Sequence, residues 1–335
     1  MTTVSVRDVA QHAGVSVGTV SNVMNHPDKV AAATVVRVRA AIEELGFIRN
    51  DAARQLRVGR SKTIGLVVLD VRNPFFTDVA RGAEDAAADA GLAVTLGNSD
   101  ESTARESTYL DLFEEQRVHG ILISPYADIT PRLHSLRSRG IPVVLVDRTS
   151  EDASFSSVSV DDIAGGTLAA EHLLAQGRRR IAFVGGPFAI RQVADRLEGA
   201  RRAVAAHPGA TLEVVEIGGL TVLEGRAAGT ALAARPPAER PDAVFAANDL
   251  VSMGLLQALM MQGSRVEVPG EMALIGYDDI DFASAAVVPL SSIRQPSALI
   301  GATAVQLLLD EAADPDIAPR QVEFQPELVV RESTR

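Results

Sequence analysis

The pattern of apolar residues changes at about residue 63, and this change constrains the fold more than any other feature. Residues 1–46 show helical periodicity only. From Thr63 onward, short β-branched runs alternate with longer Ala- and Leu-rich segments, an order typical of parallel, doubly wound α/β sheets. Eight strands are too many to share a single hydrophobic core, and we therefore expect two lobes. The predicted strands span 64–69, 92–96, 120–124, 142–146, 180–184, 213–217, 243–246 and 272–276.

The charge of the chain is unevenly distributed. The formal net charge of the 335 residues is −11, yet residues 1–60 hold eight Lys/Arg against five Asp/Glu. This basic head on an acidic body predicts that only the head meets a polyanion such as DNA. The sequence has no cysteine, which excludes disulfides, thiolate metal sites and a cysteine nucleophile. Because residues 1–24 lack a signal-peptide core and no apolar run reaches membrane length, we expect a cytoplasmic protein.

The head predicts a helix-turn-helix followed by a third helix over 34–45. Ser5 and Asp8 fit a capping box that begins the first helix, Gly14 permits a sharp turn, and Ser16 can cap the second helix. A plain three-helix packing module is the alternative. Small hydroxyl and amide side chains on the outward face favour DNA binding instead, since they can donate to phosphates and base edges. The outward residues are Val17, Gly18, Ser21, Asn22 and Asn25.

Short motifs are spread along the chain in a distinctive order and spacing. They include Asp8-Val9-Ala10, Ala13-Gly14-Val15-Ser16, Thr19-Val20-Ser21, Ala53-Arg54-Gln55-Leu56-Arg57, Asn73-Pro74-Phe75-Phe76, Ala247-Asn248-Asp249, Gly276-Tyr277-Asp278-Asp279 and Arg294-Gln295-Pro296. Together they resemble the LacI/GalR family of bacterial transcription regulators over essentially the whole chain. The resemblance implies a small all-α helix-turn-helix head and an α/β two-lobed, periplasmic-binding-protein-like body.

In that family the second helix lies in the major groove of an operator. The resemblance places base reading at Val17, Gly18 and Asn22. Because Gly18 has no side chain, we expect it to make no base contact and to leave room for its neighbours. It implies contacts with the DNA backbone from Ser16, Thr19, Ser21 and Asn25. One departure from the family pattern is Ala31-Ala32-Ala33, which stands where a serine usually caps the third helix, so that helix is expected to begin without a side-chain cap.

Residues 50–61 read as a short basic linker. Asn50 can cap a helix of about two turns, and such a helix is marginal alone in water, so a flexible tether is the alternative. By resemblance, the linkers of a dimer fold on DNA and Leu56 wedges into the minor groove, where an apolar side chain unstacks a base step.

The sequence of the body predicts a ligand-binding domain rather than an enzyme. It contains no phosphate-loop, zinc-protease, nucleophile-elbow or dinucleotide fingerprint, and its histidines show no metal-ligand spacing. Acids follow several predicted strands, where ligands of open α/β sheets bind. Helix capping is the competing role for such acids, above all for Asp249 and Asp279. The resemblance places an effector cleft at Phe76, Asp147, Asp161, Arg196, Asn248 and Asp278.

The expected domains are a DNA-binding head over 1–49, a linker over 50–61 and a two-lobed body over 62–335. The first lobe is expected at about 62–160 plus 296–320, and the second at about 161–290 plus 321–332. The implied protein is a homodimeric repressor that binds a pseudo-palindromic operator and, as effector, a sugar or sugar derivative, with a purine less favoured. No metal or cofactor is expected. The alternatives are a solute-binding protein of a transporter and a cytoplasmic Rossmann-like enzyme.

Overall fold

The computed structural model describes residues 4–47, 61–150, 152–261 and 266–335. Contacts divide the chain into two compact units, Met1–Ser61 and Lys62–Arg335. The first unit is the head and the second is the body, and each is described by itself below. The linker residues Asn50 and Leu56 lie outside the described residues.

The head is a three-helix unit whose helix ends follow local sequence signals. Its helices are α1 (Val6–Ala13), α2 (Val17–Asn25) and α3 (Ala32–Leu45). The capping box of Ser5 and Asp8 is present, Gly14 ends α1 with a φ of 62°, and the Ser16 side chain caps α2. As expected, α3 begins without a side-chain cap. The buried core consists of Val9, Ala10, Ala13, Val20, Val23, Val38 and Ala41.

The first lobe of the body is built on a parallel six-stranded sheet. In chain order its elements are β1 (Thr63–Val68), α4 (Pro74–Asp89), β2 (Ala93–Asn98), α5 (Thr103–Glu115), β3 (Gly120–Ile123), α6 (Thr130–Ser138), β4 (Val143–Val146) and β5 (Ser156–Val160). A later strand, β11 (Gln321–Phe324), pairs in parallel with β5. The strand order is β11-β5-β4-β3-β1-β2. The carboxyl ends of these strands therefore all meet at one edge of the sheet.

The second lobe repeats this plan with an antiparallel strand at one edge. Its elements are α7 (Asp162–Ala175), β6 (Arg180–Gly185), α8 (Arg191–Ala205), β7 (Thr211–Glu216), α9 (Val222–Ala233), β8 (Ala243–Ala246), α10 (Asp249–Met260), β9 (Ala273–Asp278), α11 (Asp281–Ser284), β10 (Ser291–Arg294) and β12 (Glu327–Val329). The strand order is β12-β10-β9-β8-β6-β7. A long helix, α12 (Ser297–Ala313), returns to pack on α4 of the first lobe.

The eight strands predicted from the sequence correspond to β1–β4 and β6–β9, whereas β5, β10, β11 and β12 were not predicted as strands. Two of the expected lobe limits are wrong. The second sheet extends through β10, beyond residue 290, because β10 pairs with β9. Residues 321–324 belong to the first lobe, because β11 pairs with β5. The described chain thus crosses between the lobes after β5, after β10 and after β11.

Three helix pairs in the body approach so closely that glycine is required on both sides. At Gly166 of α7, an added Cβ would lie 2.0 Å from the carbonyl oxygen of Arg196 in α8. At Gly254 of α10, it would lie 2.0 Å from the carbonyl oxygen of Val222 in α9. Each contact is reciprocated by a glycine on the partner helix. The pairs are Gly82 and Gly301, Gly166 and Gly199, and Gly225 and Gly254.

Candidate functional site

The outward face of α2 in the head carries the residues predicted to touch DNA. Val17 is 43% exposed, and Gly18 and Asn22 are exposed beside it, whereas Val20 and Val23 turn inward to the core. No acidic side chain occurs in α2. The amino terminus of a helix carries partial positive charge, so this end of α2 favours a phosphate.

The hydroxyl and amide groups at the two ends of α2 are held in place by local bonds. The Thr19 backbone N–H donates to Ser16 Oγ at 3.0 Å, and the two side-chain oxygens lie 2.9 Å apart. Asn25 Nδ2 donates to the carbonyl of Ser21 at 2.9 Å. These bonds fix polar groups at both ends of the exposed face, which lowers the entropy lost when they bind a backbone.

A cleft between the two lobes of the body encloses about 310 Å³ of empty space, part of it open to solvent. It brings together five of the six effector residues expected from the sequence, Phe76, Asp147, Arg196, Asn248 and Asp278. Asp147 follows β4 and Asp278 ends β9, so both acids lie at carboxyl ends of strands. Both have positive φ, 57° for Asp147 and 101° for Asp278. Such backbone strain in non-glycine residues clusters at functional sites.

Arg196 is the charged centre of the cleft and is 4% exposed. Its Nε donates to Asp162 Oδ1 at 2.8 Å, and its Nη1 donates to the carbonyl of Ala247 at 2.8 Å. The guanidinium carbon lies 3.7 Å from the centroid of the buried Tyr277 ring. A planar cation held by two bonds and a ring face presents its remaining N–H donors in a fixed direction.

Carboxylates outnumber cations in this cleft. Burial, followed by the charge of Asp162, raises the pKa of Asp147 well above its ordinary value. Burial also raises the pKa of Asp162 and of Asp278, against the opposing effect of Arg196. Although burial opposes its charged form, the surrounding acids raise the pKa of Arg196. The cleft therefore favours a ligand that donates hydrogen bonds to carboxylates, since such bonds stabilise their charged form.

Hydrogen bonds between cleft residues join the two lobes. Asn73 Nδ2, in the first lobe, donates to Asp278 Oδ2 at 2.9 Å. Gln192 Nε2, on α8 of the second lobe, donates to Asp147 Oδ2 at 2.9 Å. Gln295, in the crossover after β10, donates from Nε2 to Asp278 Oδ1 at 2.8 Å. The same carboxylates that face the cleft thus also hold the lobes together.

Two buried polar atoms of the cleft have no hydrogen-bond partner among the described residues. They are Asp147 Oδ1, an acceptor, and Asn248 Nδ2, a donor. Buried polar atoms are nearly always bonded, so these two indicate positions for ligand groups. A hydroxyl satisfies either of them, because it both donates and accepts. The other lining residues include six apolar side chains, those of Leu69, Phe75, Phe76, Ile190, Val193 and Leu220.

Comparisons with known proteins assign this two-part architecture to a family. The sequence profile of bacterial regulatory proteins of the lacI family matches residues 5–50, and that of the periplasmic binding protein-like domain matches residues 170–334. The ribose operon repressor of Bacillus subtilis (strain 168) is 34% identical over 331 residues, covering 99% of this chain and 98% of the repressor. The chain belongs to the lacI family of bacterial regulatory proteins.

Two further proteins match this lacI-family chain over its length. The HTH-type transcriptional repressor PurR of Photobacterium profundum is 32% identical over 341 residues, covering 99% of this chain and 98% of that protein. The crystal structure of the lac repressor dimer bound to operator and the anti-inducer ONPF superposes with a TM-score of 0.85 at 26% identity, covering 99% of both chains. The predicted family, the head-and-body fold class and the DNA-binding regulatory function are confirmed.

Asp161, the sixth expected effector residue, lies outside the cleft of this lacI-family chain. Its side chain caps α7, accepting from the Ala164 N–H at 2.8 Å, and it lines a neighbouring crevice. The next residue, Asp162, is the one that bonds Arg196. The sequence offered no way to choose between two adjacent acids before a helix.

The side chains of Asp249 and Asp279 bond groups within the second lobe. Asp249 accepts from the Ile280 N–H at 2.9 Å and from the Ser292 hydroxyl at 2.8 Å. Asp279 forms ion pairs with Arg294 and Arg331. The helix cap of α10 is Asn248, which accepts from the Val251 N–H at 2.9 Å, so capping fits neither acid.

Two cleft residues, Asn73 and Gln192, were not predicted from the sequence, and neither was Asp162 as the partner of Arg196. Asn73 was visible only as part of a family motif, and Gln192 lies in a helix with no motif of its own. Within the described residues, no cluster of His, Cys, Asp and Glu side chains fits a metal ion. No helix of the described chain is both long and apolar enough to span a membrane. The two relatives reported above are named as repressors, and this agrees with a role in binding rather than catalysis.

Proposed function

We propose that this chain is a cytoplasmic, homodimeric transcriptional repressor, not an enzyme, controlled by a sugar or sugar derivative bound between its lobes. Two heads of a dimer suit two half-sites of a near-palindromic operator. In each head, Val17 and Asn22 read bases, and Gly18, which has no side chain, leaves room for them. Ser16, Thr19, Ser21 and Asn25 contact phosphates. Asn50 and Leu56 extend this DNA contact through the linker.

The observation that carries the effector class is the mixed chemistry of the cleft lining. Asp147, Arg196, Asn248 and Asp278 supply buried donors and acceptors, and other lining residues are aliphatic or aromatic. A sugar has matching groups, hydroxyls that donate and accept and C–H groups that pack on apolar side chains. The ribose operon repressor among the relatives supports this class. A purine is the second candidate, because Phe75 and Phe76 offer ring faces and PurR is also a relative.

The effector acts by changing the balance between open and closed lobes. A ligand that bonds Asp147 in the first lobe and Arg196, Asn248 or Asp278 in the second binds the closed arrangement better than an open one. Such differential affinity is what shifts a conformational equilibrium. The linker transmits the shift, because residues that fold only on DNA make affinity sensitive to their spacing.

The proposal is tested by fluorescence anisotropy of the full-length protein on DNA from its own upstream region, with and without a panel of sugars and nucleobases. We expect salt-sensitive, sequence-specific binding that at least one sugar alters. Asn22→Ala removes a side chain able to bond adenine bidentately, so it should weaken specific binding about tenfold or more. Non-specific binding should be unchanged.

Asp89→Asn, at an exposed position of the body, is the matched control and should bind DNA as the wild type does. Asp278→Ala should keep DNA binding and lose the response to sugar. A response to nucleobases alone would identify the effector as a purine instead of a sugar. The absence of specific binding to any upstream DNA would refute the proposed regulatory function.

A further inference from the structure

A separate crevice lies within the first lobe alone. It encloses about 1030 Å³ of empty space, part of it open to solvent, against about 310 Å³ for the effector cleft. We call it the first-lobe crevice. Its lining comes from the loop after β3, the start of α6, the end of β4 and the loop after β4, all within residues 125–155. Its described lining residues and those of the cleft do not overlap, so the two spaces are distinct.

Arg148 brings an unpaired cation to this crevice. The residue is half-buried, and its Nη1 lies 3.4 Å from the carbonyl oxygen of Pro125 and 3.5 Å from that of Ala127. Both of these residues line the crevice, so the contacts direct the guanidinium toward it. The distances are long for N–H···O bonds, so the guanidinium is held weakly. Since no described carboxylate forms an ion pair with Arg148, its remaining donors favour an anionic group.

Asp128 brings an unpaired anion to the same crevice. The residue is exposed, and its Oδ1 accepts from the Thr130 N–H at 3.0 Å, at the start of α6. Hydrogen bonds from Thr130 lower the pKa of Asp128, and the charge of Arg148 acts in the same direction. The two charges are therefore close enough to interact. Within the part of the chain that the structure describes, however, no ion pair joins them.

The other acid of the crevice, Asp152, is already satisfied by its neighbours. Its Oδ1 accepts from the Ser154 N–H at 2.9 Å and from the Ser154 hydroxyl at 2.7 Å, and its Oδ2 lies 2.7 Å from His134 Nε2. These bonds, first those of Ser154 and then that of His134, lower the pKa of Asp152 to about 2. Asp128 and Arg148 are thus the two charges of the crevice that a ligand can pair.

We propose that the first-lobe crevice binds an α-amino acid with an apolar side chain. Such a molecule carries an ammonium and a carboxylate on one carbon, so it presents opposite charges close together. The ammonium donates to Asp128, and the carboxylate accepts from the N–H donors of Arg148. The side chain packs on apolar lining residues, which include Leu133, Leu145 and Phe155.

Other ligand classes fit these two charges less well. An organic anion without an ammonium would pair Arg148 but be repelled by Asp128, and an amine without a carboxylate would meet the reverse. A neutral sugar would leave both charges without an ionic partner. The inference is independent of the sugar proposed for the cleft, because the two spaces have different lining residues.

Isothermal titration calorimetry of the full-length protein tests this site. The probes are L-leucine, L-methionine and L-phenylalanine. Each is compared with the amine that lacks its carboxylate and the acid that lacks its ammonium, which for leucine are 3-methylbutylamine and 4-methylpentanoate. We expect at least one amino acid to bind at least tenfold more tightly than either of its singly charged analogues, because each analogue leaves one protein charge unpaired.

Two substitutions each remove one charge of the crevice. Asp128→Asn and Arg148→Gln should each weaken binding of that amino acid about tenfold or more. Asparagine retains an oxygen that can accept from the Thr130 N–H, so α6 should still begin at the same place. Asp89→Asn and Arg117→Gln are the matched controls, since both residues are exposed and neither lines the crevice, and they should bind as the wild type does.

Asp278→Ala distinguishes the crevice from the cleft and should leave amino-acid affinity unchanged, because Asp278 lines only the cleft. The site is overturned if none of the three amino acids binds, or if a singly charged analogue binds as tightly. It is also overturned if Asp278→Ala abolishes binding while Asp128→Asn preserves it, since the amino acid would then occupy the cleft. Each of the first two results leaves the sugar-responsive repressor standing, and the third challenges the sugar as its effector.

Discussion

Asp147 is the residue at which folding and function conflict most clearly. It is 4% exposed, and no ion pair to it is found among the described residues. One carboxylate oxygen accepts from Gln192 and the other has no partner in the described chain. A buried carboxylate without a cation destabilises the fold, and its retention is explained if an effector supplies the missing donors.

Asp147→Asn should stabilise the body at neutral pH and abolish the effector response. Because the folded pKa of Asp147 is raised, the folded protein binds more protons than the unfolded one between the ordinary value of 3.8 and the raised value. The free energy of unfolding therefore falls as pH rises through that window, and the variant escapes this loss. A gain of about 1 kcal/mol would raise Tm by about 2 °C.

Thermal melts from pH 4 to pH 8 measure this difference. The gain in Tm should be largest at the alkaline end and should shrink toward pH 4. Asp85→Asn, at an exposed position on α4, should show no such trend. Sugar affinity of Asp147→Asn should fall about tenfold or more. A Tm below that of the wild type at every pH would show that the charged form of Asp147 is stabilised in the fold.

Individual residues were predicted well where the sequence signal is local. Ser5, Gly14 and Ser16 act at helix ends, and their roles follow from neighbours within three residues. The choice between Asp161 and Asp162 was not predictable, because it depends on where Arg196, more than thirty residues away in sequence, is brought by the packing of α7 on α8. Gln192 was missed for the same reason.

At the scale of elements, two of the unpredicted strands, β5 and β10, contain several serines. β5 has the sequence SSVSV, and Ser156, Ser157 and Ser159 are all buried. Three serines in five residues interrupt an apolar run, and the alternation that remains, Ser157-Val158-Ser159-Val160, is only four residues long. The buried hydroxyl of Ser156 is satisfied by Glu311 of α12 and by the Arg320 N–H, partners about 160 residues away. Such distant bonds cannot be read from the local sequence, so the short alternation was the sole local signal for β5.

The glycine-mediated helix pairs make it possible to separate how much each helix contact contributes to stability and to sugar binding. Gly166→Ala and Gly254→Ala would each place a methyl group 2.0 Å from a backbone carbonyl oxygen. Each should destabilise the body by about 1–3 kcal/mol, because the helices must move apart. Only Gly166 meets Arg196, so only Gly166→Ala should also weaken sugar binding.

Chemical denaturation and calorimetry distinguish the two effects. Gly219→Ala is the control, since an added Cβ there meets no atom within 4 Å and it should be neutral. Equal loss of sugar affinity in Gly166→Ala and Gly254→Ala would mean that general loosening of the lobe, rather than displacement of Arg196, weakens the site.

At the scale of the whole molecule, the predicted plan was right and two of the lobe limits were not. Alternation of strands and helices was sufficient to predict two sheets, one parallel and one parallel except for β12 at its edge, but it does not show which sheet a late strand joins. β11 pairs with β5 of the first lobe, and β12, two residues later, pairs with β10 of the second. This crossing, with those after β5 and β10, makes each lobe from discontinuous segments. Closure of the cleft therefore requires the three segments that connect the lobes to bend at the same time.

Such a molecule should obey thermodynamic reciprocity between its two binding functions. If the effector changes operator affinity by some factor, operator must change effector affinity by the same factor, because both paths around the cycle reach the same complex. We expect a coupling of about 5- to 150-fold. Anisotropy on operator DNA at saturating sugar gives one value, and calorimetry of sugar binding to free and operator-bound protein gives the other.

The two values should agree in size and in direction. Asp278→Ala tests whether the coupling passes through the cleft, because Asp278 bonds Asn73 of the first lobe and Gln295 of a crossover. In that variant operator affinity should no longer depend on sugar, while binding to operator persists. A sugar that binds the wild-type cleft with unchanged affinity in the presence of operator would separate the two functions. The body would then bind its ligand without regulating the head.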